Sequence, residues 1–191
     1  MSKRRKMVLL VIVTLLAISI AVVAFAALDL VTYTATQSET LEPLNTPIGK
    51  ALVVYNPGLS GQARQAARIM AEDLRSEGYI VTLAGVRSSA ADNISDYSVI
   101  IVGGPMYGGT VSSSIADYLK GLTYHEGLRL GVFATTGNAQ SDDNSYNTFR
   151  QNVDSLLNAS AQDEGVEVKL ILTVDVEEDC HQFVGAVLAR E

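Results

Sequence analysis

Apolar positions follow two different patterns along this chain. Residues 7–28, "MVLLVIVTLLAISIAVVAFAAL", carry no charged side chain, and roughly 20 such residues suffice to cross a bilayer as a helix. From residue 50 onward, short apolar runs alternate with amphipathic stretches. "ALVVY" (51–55), "YIVTL" (79–83), "YSVIIV" (97–102), "LRLGVFA" (128–134) and "VKLILTV" (168–174) are rich in β-branched residues and read as strands. Three of them are almost continuously apolar, as parallel strands covered on both faces must be. Helical stripes fall between them. Ala63, Ala66, Ala67, Met70 and Leu74 form one, and Val111, Ile115, Tyr118, Leu119 and Leu122 a second. Phe149, Val153, Leu156 and Leu157 form a third, and Phe183, Val184, Val187 and Leu188 the last, entered through acids at 177–179 that suit a helix N-terminus. "AGVRSSAADNISD" (84–96) is too polar and irregular for a helix. The expectation is an α/β domain over residues 49–191, a doubly wound five-stranded parallel sheet in the order 2-1-3-4-5. Residues 29–48, rich in Ser, Thr, Glu and Pro without a sustained period, read as a polar linker.

The flanks orient the apolar segment. Lys3, Arg4, Arg5 and Lys6 precede it, and the next cation is Lys50. The positive-inside tendency predicts a cytoplasmic N-terminus and a single-pass signal anchor within residues 1–28, partnered by the bilayer through residues 7–28. The domain then lies on the extracytoplasmic side. A cleavable signal is the other reading, since "AFA" at 24–26 offers an A-x-A site and cleavage there would secrete the domain. Apolar cores of signal peptides run to only about 7–15 residues, and this length favours an anchor.

Charge narrows the partners. Taking the four N-terminal cations from the total of 14 leaves 10 Lys and Arg against 21 Asp and Glu, a balance of −11 against −7 for the whole chain. So acidic a domain is unsuited to nucleic acid and suited to a basic protein partner. Cys180 is the single cysteine, so no internal disulfide forms, and with only His125 and His181 beside it a structural zinc site is not expected. Asn93-Ile-Ser and Asn158-Ala-Ser match the N-glycosylation acceptor pattern.

In doubly wound sheets, ligands bind beyond the carboxyl ends of strands where the strand order reverses. Three Gly-rich or polar turns fall there: "NPGLSG" (56–61), "GGPMYGG" (103–109) and "TTGNAQSDDN" (135–144). The first lacks the Lys of a P-loop and the third glycine of G-x-G-x-x-G. It retains Ser60, placed to cap a helix, and Gly61, which lets backbone N–H groups turn toward an anion at the helix end. Ser60 as a cap alone and Ser60 as part of a phosphate cradle are both open on this loop. Other chemistry is thin. Asp142-Asp143 reads as a solvated acidic pair. Cys180 and His181 are sequence neighbours that do not face each other on a helix, and the preceding acids raise a thiol pKa. Ser112–Ser114 has no histidine partner, and His125 reads as a loop residue.

The stretches "LVVYNPGLSGQARQAARIMAEDL", "ISDYSVIIVGGPMYGGTVSSSIADYL" and "LRLGVFATTGNAQSDDN" resemble the three flavin-binding regions of the flavodoxin family in its short-chain form, across residues 50–191. The middle stretch is the most specific. The resemblance implies a flavodoxin-like fold, a noncovalently bound FMN and electron transfer with a redox protein partner. The first loop (Gly58, Leu59, Ser60, Gly61, Gln62) would hold the FMN phosphate. Pro105, Met106, Tyr107, Gly108 and Gly109 would line one side of the flavin ring, and Thr136, Gly137 and Asn138 the other. Relative to the family's [S/T]-x-T-G-x-T, the positions here are Gly58, Ser60, Gly61 and Ala63, so one hydroxyl survives of three. Each lost hydrogen bond costs about 0.5–3 kcal/mol. No tryptophan is available to stack on the ring; Tyr107 is the natural substitute, with Tyr146 and Phe149 as further candidates. No residue acts as a covalent catalyst, and the acidic surroundings would disfavour extra negative charge on a reduced flavin. A flavin-dependent quinone or small-acceptor reductase or oxidase is the alternative enzyme. A binding or assembly module that kept the fold and lost the flavin is the alternative from another class.

Overall fold

The computed structural model describes residues 3–32, 35–137, 143–157, 166–172 and 175–189. The chain divides into two compact units between residues 33 and 34. The first is helix α1 (Lys3–Thr32). Its segment Arg5–Ala24 has a mean hydropathy of 3.1, long and apolar enough to cross a membrane, and none of that segment is buried within the protein. Within that segment, Thr14 Oγ1 donates to the Leu10 carbonyl and Ser19 Oγ to the Leu15 carbonyl, both at 2.9 Å. The apolar segment thus satisfies both of its hydroxyls internally.

The second unit is a seven-stranded sheet with helices on both faces. Its strands are β1 (Ser38–Leu41), β2 (Gly49–Tyr55), β3 (Tyr79–Gly85), β4 (Val99–Tyr107), β5 (Thr110–Val111), β6 (Arg129–Thr136) and β7 (Glu167–Leu172). Among the described residues, helices α2 (Gln62–Ser76), α3 (Ser113–Gly121), α4 (Asp143–Leu156) and α5 (Val176–Leu188) cover it, with a 3-10 turn at Ser89–Ala91. The spatial order is β1-β3-β2-β4-β6-β7, with β5 paired to β4. The five long strands β3, β2, β4, β6 and β7 run parallel in the expected 2-1-3-4-5 order.

Two expectations are corrected. The sheet is mixed rather than all-parallel, because β1 pairs antiparallel with β3 along Ser38–Ala84 to Leu41–Val81. That strand lies inside the stretch read as a polar linker, and α1 itself continues to Thr32. "SETL" is a polar edge strand, and its stability comes from tertiary partners that local sequence does not reveal. Glu39 meets Arg68 of α2 at 2.9 Å, Arg75 Nε donates to the Glu42 carbonyl at 2.7 Å, and the Ile48 N–H donates to the Gly78 carbonyl at 2.9 Å.

The apolar runs of β2, β4 and β6 have both faces covered, so two cores form. One face packs Ala63, Ala66, Ala67, Met70 and Leu74 of α2 with Phe183, Val184 and Val187 of α5. The other packs Ile115 and Leu119 of α3 with Phe149 and Val153 of α4. Val111, expected within a helical stripe, belongs to β5, and its helix begins at Ser113.

Candidate functional site

The carboxyl ends of β2, β4 and β6 are neighbours in the sheet, with Tyr55 opposite Gly103 and Pro105 opposite Thr135. The three loops singled out in the sequence therefore leave one edge of the sheet side by side. Asn56 builds the first of them. It is 2% exposed, and its N–H donates to the Gly103 carbonyl at 3.0 Å, extending the β2–β4 ladder by one step. Its side chain is used at both ends: Oδ1 accepts from the Gly58 N–H at 3.0 Å, closing an Asx turn. Nδ2 donates to Ser114 Oγ at 2.7 Å and Ser112 Oγ at 3.3 Å, at the start of α3. All three side chains are buried. This network ties the first loop to the exit of the second, and sequence reasoning missed it. The only signal was an Asn placed between a strand and Pro-Gly.

Gly58 (φ +61°) follows, and a Cβ there would stand 2.9 Å from the Pro105 ring. Loops one and two are thus in contact across the Gly58–Pro105 pair. The N-cap of α2 is Gly61, in left-handed geometry, not Ser60 as expected. Ser60 stands one residue earlier, exposed, and its hydroxyl accepts from the Gln62 N–H at 3.4 Å. The chain turns at Gly61, which only a residue tolerating positive φ does without strain, so the serine is displaced from the cap. No acidic residue occupies the first turn of α2, leaving its amide-rich end without a protein anion on that turn.

The second loop is a two-residue hairpin. Met106 pairs with Val111 and Tyr107 with Thr110, around Gly108 (φ +58°) and Gly109 (φ +85°). Consecutive positive φ values are those of a type I′ turn, which matches the strand twist and explains the Gly-Gly pair. Thr110 Oγ1 donates to the Tyr107 carbonyl at 3.0 Å and Ser112 N–H to the Pro105 carbonyl at 3.2 Å, so the hairpin is held on both arms. Tyr107 is partly exposed and crosses toward the first loop. Burial raises its pKa above the ordinary value, and a hydrogen bond from the Leu59 backbone pulls it partly back.

The third loop starts at Thr135 and Thr136, both buried, and continues to exposed Gly137. Asn138 and Asp142 lie outside the described residues. Of the further aromatic candidates, Phe149 is corrected: it is fully buried in the core under α4 and cannot stack on a ligand at the sheet edge. Tyr146 donates its hydroxyl to the Val168 carbonyl at 3.3 Å.

Cys180 and His181 turn to different partners. Cys180 is buried, its thiol against the Ala66 carbonyl at 3.8 Å. Burial first, then Asp73 and Asp179, pushes its pKa up to about 12. His181 faces away toward Asp73 on α2. Among the described residues, no cluster of three or more His, Cys, Asp or Glu side chains is placed to hold a metal.

A model of the flavodoxin domain matches residues 52–170, which includes all of the first two loops and the ladder joining them. The chain belongs to the flavodoxin family. Oxidised flavodoxin 2 from Bacillus cereus is 19% identical with a TM-score of 0.52, the match covering 74% of this chain and 99% of that one. The apo form of an NADH:FMN oxidoreductase is 12% identical with a TM-score of 0.54, over 75% of this chain and 90% of that one. At these identities the likeness concerns the fold. No curated protein matches the chain. Within the flavodoxin domain, the first two loops flank the reversal of strand order between β2 and β4, where ligands of doubly wound sheets bind, and the third starts from the next strand, β6.

Backbone geometry at these loops suits a flavin nucleotide. Among the described residues, a Cβ built at Gly61, Gly108 or Gly137 meets no atom within 4 Å, so each of these glycines presents bare backbone. Bare N–H groups at a helix start fit a phosphate, and a partly exposed tyrosine beside a glycine hairpin fits a planar ring.

Proposed function

We propose that this flavodoxin domain binds FMN noncovalently and carries electrons while tethered by α1 to a membrane, on its extracytoplasmic side. The observation that carries the reading is the convergence of three glycine-opened loops at the carboxyl edge of β2, β4 and β6. FMN, when bound, supplies the redox chemistry. The protein supplies position. Gly58 to Gln62 would hold the phosphate through backbone N–H groups at the start of α2, with Ser60 as the one side-chain hydroxyl. Pro105 to Gly109 would line one side of the ring, with Tyr107 as the aromatic group there. Thr136 and Gly137 would line the other; Asn138, expected beside them from the sequence, lies outside the described residues. The acidic balance of the domain favours a basic redox protein as partner. The apolar length of Arg5–Ala24 and the cations before it support the tether.

The test is a titration of the full chain in detergent with FMN, following flavin fluorescence and the visible spectrum. Saturable quenching with a shifted spectrum is expected. Absence of binding at about 100 μM FMN, far above cofactor affinities on the free-energy scale, would instead make this a flavodoxin fold used for binding or assembly.

A further inference from the structure

The loop between the 3-10 turn and β4 carries Asn93-Ile94-Ser95, a tripeptide that the cleft does not use. Its conformation is specific. Ser95 Oγ donates to Asn93 Oδ1 at 2.9 Å, and the Ser95 N–H donates to the same oxygen at 3.4 Å. Ile94 packs against the core under α3, which turns its two neighbours outward, and both Asn93 and Ser95 are exposed. Among the described residues Asn93 Nδ2 has no hydrogen-bond acceptor, so the carboxamide is held by its oxygen and free at its nitrogen.

We propose that Asn93 is an N-glycosylation site, modified on the extracytoplasmic side of the membrane. The donor is a glycan carried on a lipid phosphate or pyrophosphate. Nδ2 of Asn93 attacks the anomeric carbon, an N–C bond forms, and the C–O bond to phosphate breaks. The bonding pair leaves with the phosphate, and one amide proton is lost to a base of the transferase. No oxidant or reductant takes part. An amide nitrogen is a poor nucleophile that the transferase must activate, and the Ser95 hydroxyl on Oδ1 fixes the direction of the carboxamide with Nδ2 left for that step. The acceptor pattern requires a surface loop, and this one meets the requirement.

Position makes the modification compatible with the cleft. The loop is anchored on both sides, by Tyr118 OH to the Ala91 carbonyl at 2.9 Å and by Tyr97 OH to Thr82 Oγ1 at 3.0 Å. Three residues after Asn93, Asp96 reaches Lys50 at the beginning of β2, at 3.5 Å. Asn56 and the first loop leave the other end of that strand, beside the ends of β4 and β6 from which the other two loops start. A glycan on Asn93 therefore stands away from the cleft, where it shields the loop and leaves partner docking free.

The inference rests on the extracytoplasmic placement, so the experiment reads both. The full chain is expressed in its source organism and mass spectrometry is performed on the proteolytic peptide containing Asn93. Protease accessibility of the domain is measured in parallel on cells without a permeabilised membrane. A glycan mass on Asn93 that disappears in both Asn93→Gln and Ser95→Ala, with unfolding temperature unchanged, supports the proposal. An accessible domain with bare Asn93 overturns it and leaves the placement standing. A protected domain with bare Asn93 overturns the placement and the proposal together.

Discussion

Asn56 is the residue on which the cleft depends most. It donates to two buried serines and accepts from the Gly58 amide, so its loss leaves two hydroxyls and an N–H buried without that partner. Replacing it with Ala is expected to cost about 1–3 kcal/mol in denaturant unfolding, the range for orphaned buried polar groups. FMN affinity in the same variant should fall as the first loop loosens; unchanged affinity would show that the loop holds its shape without the Asx turn. Ser60 predicts a smaller effect. It is exposed and contributes one neutral hydrogen bond, so Ser60→Ala should weaken FMN binding by about 0.5–1.5 kcal/mol, read by fluorescence titration. A loss of binding altogether would mean that the backbone amides of α2 hold less of the phosphate than the glycine-opened geometry indicates. That Asn56 matters was not legible from the chain, because its serine partners lie more than fifty positions away. The Gly-Gly pair was legible as a turn, because a type I′ turn imposes its two central residues locally.

At the scale of elements, Phe133 of β6 packs directly against Gly103 of β4. A Cβ on Gly103 would fall within 2.5 Å of the Phe133 backbone and ring, so the pairing depends on a missing side chain. Gly103→Ala should cost about 3 kcal/mol, the upper end for overpacking of a rigid core, measured as a fall in the urea midpoint with unchanged slope. Helices α2 and α5 present a different case. His181 Nδ1 lies 2.8 Å from Asp73, and its Nε2 lies 3.8 Å from Glu177. The hydrogen bond and charge of Asp73 raise the His181 pKa above its ordinary 6.5, with desolvation opposing and Glu177 and Glu178 adding smaller contributions. A raised folded-state pKa means the added stability is complete below pH 6.5 and disappears as pH rises through the higher folded value. The imidazole is largely exposed, so the effect should be small, as for surface ion pairs of about 0–1 kcal/mol. Unfolding followed from about pH 5 to about pH 9 should show this decline, and His181→Gln should flatten it. The helix stripes were readable in advance, whereas the clasp joining α2 to α5 was not, since 108 positions separate its partners.

For the whole molecule, the two units predict separable behaviour. The full chain should remain in the membrane fraction through an alkaline wash, and residues 34–191 alone should stay soluble with the same FMN affinity. Release of the full chain by the wash would contradict a spanning α1. A soluble fragment that fails to bind would show that the first unit contributes to the cleft.

The alternation of apolar runs with amphipathic stretches sufficed for the five parallel strands, and the resemblance of the three loop stretches carried their order and the family. A strand buried on both faces must be apolar throughout, and a covering helix must be apolar every third or fourth position, so both write themselves into local sequence. The convergence of the three loops followed from that order. What only tertiary structure decided were contacts between polar groups distant in sequence. β1 became a strand because β3 offered a free edge and Arg68 offered charge to Glu39. Gly61 displaced Ser60 as the cap, and Phe149 went to the core rather than the cleft. A hydrogen bond or an ion pair leaves no period in the chain. It exists only once folding has brought its two ends together.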